Sequence, residues 1–175
     1  FAKGGYAVCI CRRDAAKSQA LVDELKAAGL EAHAFSVDAR QEAEVQNLFA
    51  EVEKNIGPIE VCLFNAGSNV NKPLLDTTEK LFFKAWELAC YGGFLVGREA
   101  ARYMLPRGRG TIFFTGATAS VRGGLGFAAF SSACRIVVMP GTALGLAAGY
   151  ARGVGRARDA RADHGCSAGG EPVRP

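Results

Sequence analysis

Four short apolar runs, each followed by polar or helix-forming sequence, constrain the fold of this chain more than any other feature. The runs lie at residues 6–11, 32–37, 59–64 and 111–115. Between the second and third runs, Val45, Phe49 and Val52 recur at the spacing of one helix face. Short apolar strands that alternate with helices require crossover connections, and those connections give a parallel sheet covered on both faces. The sequence therefore predicts an α/β fold with three layers.

The size and composition of the chain suit one such domain. It has 175 residues, of which 49% are hydrophobic and 22% charged, so a wholly disordered chain is excluded. A net charge of +4 without a block of like charges predicts no nucleic-acid partner. No apolar run is long enough to span a bilayer, so we expect no membrane partner.

The cysteines indicate a reducing compartment rather than a metal site. The six cysteines are scattered, and neither they nor the two histidines occur at metal-ligand spacing. We therefore expect no metal site and a cytoplasmic location.

The composition divides the chain into a folded part, residues 1–140, and a tail, residues 141–175. The tail is rich in glycine, alanine and arginine and contains no Phe, Trp or Ile, which predicts poor order. Its bias is also typical of GC-rich coding DNA read in a shifted frame. A basic RNA-binding arm is an alternative, and Asp159, Asp163 and Glu171 argue against it by diluting the charge.

The turn after the third predicted strand is a candidate ligand site. Asn65, Ala66 and Gly67 follow that strand directly. Ligands of open parallel sheets bind outside the carboxyl ends of the strands, and glycine permits close backbone approach. A purely structural turn would use the same residues.

Six segments occur in one order along the chain. They are FAKGGYAV at 1–8, Arg12-Arg13, Val37-Asp38-Ala39, FNAG at 64–67, GGFL at 92–95 and GTIFFTGA at 110–117. Over residues 1 to about 134 this set resembles the short-chain dehydrogenase/reductase family. The resemblance implies a Rossmann-like domain that transfers a hydride between NAD(P) and a carbonyl or alcohol substrate.

The resemblance also assigns cofactor contacts. Asp38 matches the aspartate that contacts the adenine, and Asn65, Ala66 and Gly67 match the turn beside the adenosine ribose. In the family, residues just after this strand contact that ribose, and Arg12 lies at this place. A cation there can bind a 2′-phosphate, which favours NADP over NAD. The alternative is that Arg12 belongs to a solvated pair at a helix start. The family often pairs subunits through the helix at residues 79–104, so a homo-oligomer is expected.

The catalytic positions of the family are all altered. Its Tyr-x-x-x-Lys pair falls on Phe130 and Cys134, its serine falls near Ala117, and its structural asparagine falls at Ala89. No residue is therefore assigned a catalytic role, and we expect an impaired or inactive enzyme. One alternative is a non-catalytic binding or dimerisation module. Another is an enzyme that uses unusual residues; Cys134 is a poor candidate nucleophile because no histidine lies near it in the sequence.

The family's first strand and glycine-rich phosphate loop would come before the segment that begins at Phe1. We expect the sheet to be incomplete as a result, with unpaired edges on the neighbouring strands. We also expect weak cofactor binding, because backbone N–H groups of that loop hold the pyrophosphate.

Overall fold

The computed structural model describes residues 1–118 and 125–135, with side chains to residue 133. The predicted tail and the side chain of Cys134 therefore lie outside the described residues. The strands are β1 (Val8–Arg12), β2 (Ala32–Ser36), β3 (Val61–Phe64) and β4 (Thr111–Phe114). The helices are α1 (Ala16–Ala27), α2 (Glu42–Asn55), α3 (Glu79–Trp86), α4 (Gly92–Met104) and α5 (Ala128–Arg135). A π-helical segment (Glu87–Tyr91) joins α3 to α4, and short 3-10 turns occupy Ala2–Gly4, Leu74–Asp76 and Leu105–Arg107.

All four predicted strands are confirmed, and all of their pairings are parallel. β1 pairs with β2 in the register that sets Val8 opposite Ala32. β3 pairs with β4 in the register that sets Val61 opposite Thr111. Within the described residues no ladder joins the two pairs, so the strands form two sheets of two strands each. The order of elements is that of the predicted α/β fold, and its sheet is divided.

One apolar cluster lies between the strands and two helices. α2 packs on α4, and α4 packs on both β3 and β4. The buried members of the cluster are Val45, Phe49, Cys62, Leu95, Ala100 and Met104. Burying a side chain such as Leu95 stabilises the fold by about 2 kcal/mol relative to leaving it exposed. Val37, directly after β2, also packs against this cluster, so the cluster connects both sheets.

The long helix expected at residues 79–104 has those bounds but is not continuous. The spacing of Asp76 and Glu79 is typical of a capping box and predicts a helix cap at Asp76, and that prediction is wrong. Asp76 ends a 3-10 turn, and Thr78 caps α3 by accepting a hydrogen bond from Leu81 N at 3.3 Å. The π-helical segment then interrupts the helix and contains Ala89. Such segments are rare and recur at functional sites.

In the part of the chain that the structure describes, no helix has both the length and the hydropathy needed to cross a membrane. The histidine, cysteine, aspartate and glutamate side chains of the same residues form no group of three or more that is suited to hold a metal ion.

Candidate functional site

The predicted contact residues all lie at the carboxyl ends of strands. Arg12 is the last residue of β1, Asp38 comes two residues after β2, and Asn65 directly follows β3. Val37 N donates to Arg12 O at 2.8 Å, which fixes the ends of β1 and β2 together. Because parallel strands present their carboxyl ends at the same edge, this edge is the candidate site.

Two arginines supply positive charge at the end of β1. Both are exposed, and Arg12 Nη1 donates to Lys17 O on the first turn of α1 at 3.3 Å. Ser36 Oγ donates to Arg13 O at 2.8 Å, and the charge of Arg13 contributes to a lowered pKa of Asp38. The arginine pair therefore lies close to the carboxylate at the end of β2.

Asp38 is held by Arg40. Arg40 Nε donates to Asp38 Oδ1 at 2.9 Å, and Arg40 Nη2 donates to Asp38 Oδ2 at 2.5 Å. These hydrogen bonds are the main reason that the pKa of Asp38 falls to about 2. The backbone N of Asp38 donates to Glu44 Oε2 at 2.7 Å. Both carboxylate oxygens are thus engaged within the protein.

Arg40 also reaches the interrupted helix. Its Nη1 donates to Glu87 Oε2 at 3.4 Å, and Glu87 is the first residue of the π-helical segment. The turn after β2 and that segment are further joined at Gly92, where an added Cβ would lie 3.3 Å from Ala39 O. Reading the sequence alone missed Arg40 and Glu87. The Asp-x-Arg spacing of Asp38 and Arg40 is a signal that could have indicated the first of them.

The turn after β3 is open. Asn65 and Gly67 are exposed, and a Cβ added at Gly67 would meet no atom within 4 Å. Among the described residues, no hydrogen bond or ion pair joins this turn to Asp38. The two lie at the carboxyl ends of strands in different sheets, and their side chains are not brought together. Thr115 N donates to Phe64 O at 2.9 Å, which continues the β3–β4 ladder beside this turn.

The positions that the resemblance assigns to the family's asparagine and tyrosine, Ala89 and Phe130, lie on segments that pack together. Ala129 and Ala133 of α5 are buried against Ala85 and Ala89. Phe130 is half-buried, and its ring centroid lies 6.2 Å from that of Phe127. Ala89 therefore makes a small apolar contact with α5, and Phe130 forms an aromatic pair with Phe127.

Comparison with known proteins decides the family. The family model described as short chain dehydrogenase matches residues 1–152. The chain belongs to the short chain dehydrogenase family. The parallel strand pairs with their helices are accordingly part of a Rossmann-like α/β fold, as predicted.

Solved members of this family have the same fold. A short-chain dehydrogenase from Rhodopseudomonas palustris is 51% identical with a TM-score of 0.75, over 78% of this chain and 64% of that one. The F189W actinorhodin polyketide ketoreductase with NADPH is 26% identical with a TM-score of 0.74, over 89% of this chain and 57% of that one.

Curated relatives extend beyond the matched region. A 3-oxoacyl-[acyl-carrier-protein] reductase of Bos taurus is 29% identical over 75% of this chain and 54% of its own length. A 2,3-dihydro-2,3-dihydroxybenzoate dehydrogenase of Bacillus subtilis is 32% identical over 74% of this chain and 50% of its own length. The chain thus spans about half the length of these relatives.

The family uses NAD(P), and the residues present fit part of such a cofactor. The exposed cations after β1 and the open turn after β3 suit a phosphorylated ribose. None of the turns that follow β1, β2 and β3 is a glycine-rich turn leading into a helix N-terminus. The described residues therefore fit the adenosine half of the cofactor and offer no such cradle for its pyrophosphate.

Proposed function

We propose that residues 1–140 form a short chain dehydrogenase domain that retains an adenosine-binding edge and does not turn over carbonyl or alcohol substrates at an appreciable rate. The observation that carries this proposal is Phe130, which occupies the tyrosine position of the family and packs on Phe127. The bound cofactor would supply the hydride, so the protein's own task is to move the proton.

Phe130 cannot perform that task. Its ring has no hydroxyl, so it neither donates nor accepts a proton at the substrate oxygen. The lysine position is Cys134, and a neutral thiol does not stabilise a phenolate. A general acid–base group contributes typically about 10²–10⁴-fold to a rate. The loss of both groups therefore predicts a rate near background.

We propose that five residues bind the adenosine half of the cofactor: Arg12, Asp38, Asn65, Ala66 and Gly67. NADP is proposed in preference to NAD because Arg12 and the adjacent Arg13 place two cations at the edge where a 2′-phosphate would lie. To accept a hydrogen bond from the adenine, Asp38 would have to use carboxylate oxygens that already accept hydrogen bonds from Arg40. Binding of the whole cofactor is accordingly proposed to be weak.

Nucleotide fragments test this assignment without depending on catalysis. The chain is titrated with 2′,5′-ADP and with AMP, and amide chemical shifts are followed by NMR. We expect 2′,5′-ADP to bind about tenfold more tightly, as one charge-assisted hydrogen bond allows. Arg12→Leu should remove the preference. Arg109→Leu, which removes an exposed cation just before β4, should retain it. Equal binding of both fragments by the unaltered chain would contradict the assignment.

Turnover is tested separately. The chain is incubated with NADPH and a panel of ketones, and NADPH absorbance is followed. No oxidation above the rate without protein is expected. Steady oxidation that depends on both ketone and protein would contradict the proposal and favour an enzyme with unusual catalytic residues.

A second candidate function, a dimerisation module, is favoured by an aromatic ladder on α3, the π-helical segment and α4. The rings of Phe83, Trp86, Tyr91 and Phe94 follow one another at centroid distances of 5.8, 6.1 and 6.5 Å. Phe83 is 56% exposed and Phe94 is 42% exposed. A contiguous exposed apolar patch marks an interaction surface. A homo-oligomer through residues 79–104 is therefore proposed.

Sedimentation equilibrium tests the dimer. Phe94→Glu should weaken self-association about tenfold or more, because a charge would enter the centre of the interface. Leu75→Glu is the matched control, since Leu75 is 97% exposed and lies outside the ladder. A monomeric unaltered chain at high concentration, or equal effects of both changes, would contradict this second function.

We propose a cytoplasmic location because the described cysteines form no disulfide bonds. Cys9, Cys11, Cys62 and Cys90 are free thiols. Free thiols are kept reduced in the cytosol.

A further inference from the structure

Arg40 lies between two carboxylates that come from separate parts of the chain. Its Nη2 donates to Asp38 Oδ2 at 2.5 Å in the turn after β2, and its Nη1 donates to Glu87 Oε2 at 3.4 Å in the π-helical segment. The side chains of Arg40, Asp38 and Glu87 are only 28%, 17% and 33% exposed, so water screens these ion pairs less than it screens a surface pair. The guanidinium is therefore held mainly by Asp38 and has a second, looser partner in Glu87.

The hydrogen-bonding capacity of the Asp38 carboxylate is taken up by Arg40. An ionised carboxylate offers about four lone-pair sites. The backbone N and Nε of Arg40 lie 3.1 and 2.9 Å from Asp38 Oδ1, and Nε and Nη2 lie 3.2 and 2.5 Å from Oδ2. A further donor, such as the exocyclic amino group of a purine, can therefore bind this carboxylate only by displacing part of the guanidinium.

Glu87 can receive the displaced guanidinium. Among the described residues, Arg40 is the only hydrogen-bond or ion-pair partner of the Glu87 carboxylate. A movement of about half an ångström would bring Arg40 Nη1 from 3.4 Å to the usual length of a charge-assisted hydrogen bond, about 2.8 Å. The positive charge released by Asp38 would consequently stay paired.

The backbone links the same two segments. Ala39 lies between Asp38 and Arg40, and a Cβ added at Gly92 would lie 3.3 Å from Ala39 O. Gly92 directly follows the π-helical segment and is the first residue of α4. Because the turn and the helix touch here, a rearrangement of Asp38 and Arg40 is transmitted to the helix rather than absorbed by a gap between them.

We infer that Arg40 sets the nucleotide affinity of the adenosine-binding edge as an internal competitor for Asp38: a purine amino group that binds Asp38 displaces the guanidinium onto Glu87, and nucleotide binding is thereby coupled to the π-helical segment. The inference rests on the proposed adenosine-binding edge, and it adds the residue that controls that edge and the element that responds to it. The step exchanges hydrogen bonds only, and every group keeps its charge. Because such coupling is reciprocal, a change that strengthens the pair of Arg40 and Glu87 also favours nucleotide binding.

Calorimetric titration with 2′,5′-ADP measures the competition. Arg40→Leu should bind this fragment about tenfold more tightly, because no charge-assisted hydrogen bond has to be broken at Asp38. Arg107→Leu is the matched control, since Arg107 is 31% exposed and pairs with Glu53, which is 15% exposed. Arg107 Nη2 donates to Ile59 O just before β3, at the opposite ends of the strands, so its loss should change the affinity by less than about twofold.

Glu87→Gln tests the receiving group and keeps Arg40, so it also covers the case in which Arg40→Leu fails to fold. We expect it to weaken 2′,5′-ADP binding about threefold, because a neutral amide attracts the displaced guanidinium less than a carboxylate does. In the Arg40→Leu background the same change should have no effect, because no cation is left to receive.

Trp86 reports the coupling to the helix. It is the only tryptophan of the chain and directly precedes Glu87, and its ring centroid lies 5.8 Å from that of Phe83 and 6.1 Å from that of Tyr91. Saturation with 2′,5′-ADP should shift the fluorescence emission of Trp86 in the unaltered chain. Arg40→Leu should bind the fragment and leave the emission unchanged, which a purely structural role of Arg40 would not produce.

The outcomes separate this inference from the proposed function. Equal or weaker binding of 2′,5′-ADP by Arg40→Leu would overturn the competition, as would an unchanged affinity in Glu87→Gln. An emission shift of Trp86 that persists in Arg40→Leu would overturn the coupling. In each of these cases the fragment still binds, so the adenosine-binding edge stands. If neither the unaltered chain nor Arg40→Leu binds the fragment, the proposed edge and this inference are both wrong.

Discussion

At the scale of single residues, Arg40 changes the interpretation of the candidate site. The resemblance assigns Asp38 to an adenine contact, and both of its carboxylate oxygens accept hydrogen bonds from Arg40. A bidentate arginine–carboxylate pair is among the stronger hydrogen-bonded contacts in proteins. Glu87 holds the other side of the guanidinium at 3.4 Å. A nucleotide that used Asp38 would have to share it with this ion pair.

The Asp38–Arg40 pair predicts a specific acid sensitivity. The pKa of Asp38 in the folded chain is about 2, below its ordinary value near 4. Because the folded-state pKa is the lower one, the stabilisation is complete above about pH 4 and is lost as the pH falls toward about 2. We expect about 1–2 kcal/mol to be lost across this window, after allowance for solvent screening.

Urea unfolding between pH 5 and 2 measures this effect. In Asp38→Asn the free energy of unfolding should depend less on pH than in the unaltered chain. Asp23→Asn is the control, because Asp23 lies exposed on α1 and should leave the pH profile unchanged. Identical profiles for the unaltered chain and Asp38→Asn would show that the pair does not stabilise the fold.

At the scale of elements, the close approach of α4 to the start of β4 depends on one glycine. Gly110 has φ +146°, and an added Cβ there would lie 2.4 Å from the side chain of Met104. Met104 is fully buried at the end of α4 and belongs to the main core cluster. The backbone of Gly110 is therefore fixed by both its conformation and its contact.

A pair of glycine substitutions separates these two effects. Gly57 has φ +153° and no atom within 4 Å of an added Cβ, so Gly57→Ala reports backbone strain alone. We expect it to cost about 1 kcal/mol. Gly110→Ala should cost about 2 kcal/mol more, because it also displaces a packed core side chain. Equal changes in the two denaturation midpoints would show that the Met104 contact is unimportant.

The elements differ in how far the sequence predicts them. Apolar runs bounded by glycine, arginine or proline placed all four strands, because burial in a parallel sheet leaves few alternatives. The α3 cap was misplaced at Asp76, since Asp76 and Thr78 are both capable cap residues and only the backbone decides between them. Nothing in the sequence around Ala89 predicted the π-helical segment, in which Ala89 packs against α5.

At the scale of the whole molecule, the two parallel strand pairs are joined by one apolar core cluster. α2 and α4 supply most of its buried side chains. The division of the sheet was predictable from the order of the matched segments. The network of Arg40 and Glu87 was not, because its members are 47 residues apart and meet only through the fold. The assignment of Arg12 and of Asn65 to Gly67 as cofactor contacts stays a prediction that nucleotide fragments will test.

The central claim is that this dehydrogenase fold lacks the family's proton relay. A chimera tests it: a strand, glycine-rich turn and helix start of the kind that the family resemblance implies are fused ahead of Phe1. The measurement is NADPH oxidation with a panel of ketones. Phe130→Tyr with Cys134→Lys is made in the same chimera, and Phe127→Tyr with Cys134→Lys is the matched control.

The account predicts that the chimera binds NADPH and oxidises it only at the background rate. The Phe130→Tyr and Cys134→Lys changes should raise its rate about 10²-fold or more, and the control pair should not, because a hydroxyl at Phe127 lies three residues from the family's tyrosine position. Steady, ketone-dependent NADPH oxidation by the chimera with Phe130 and Cys134 in place would contradict the account.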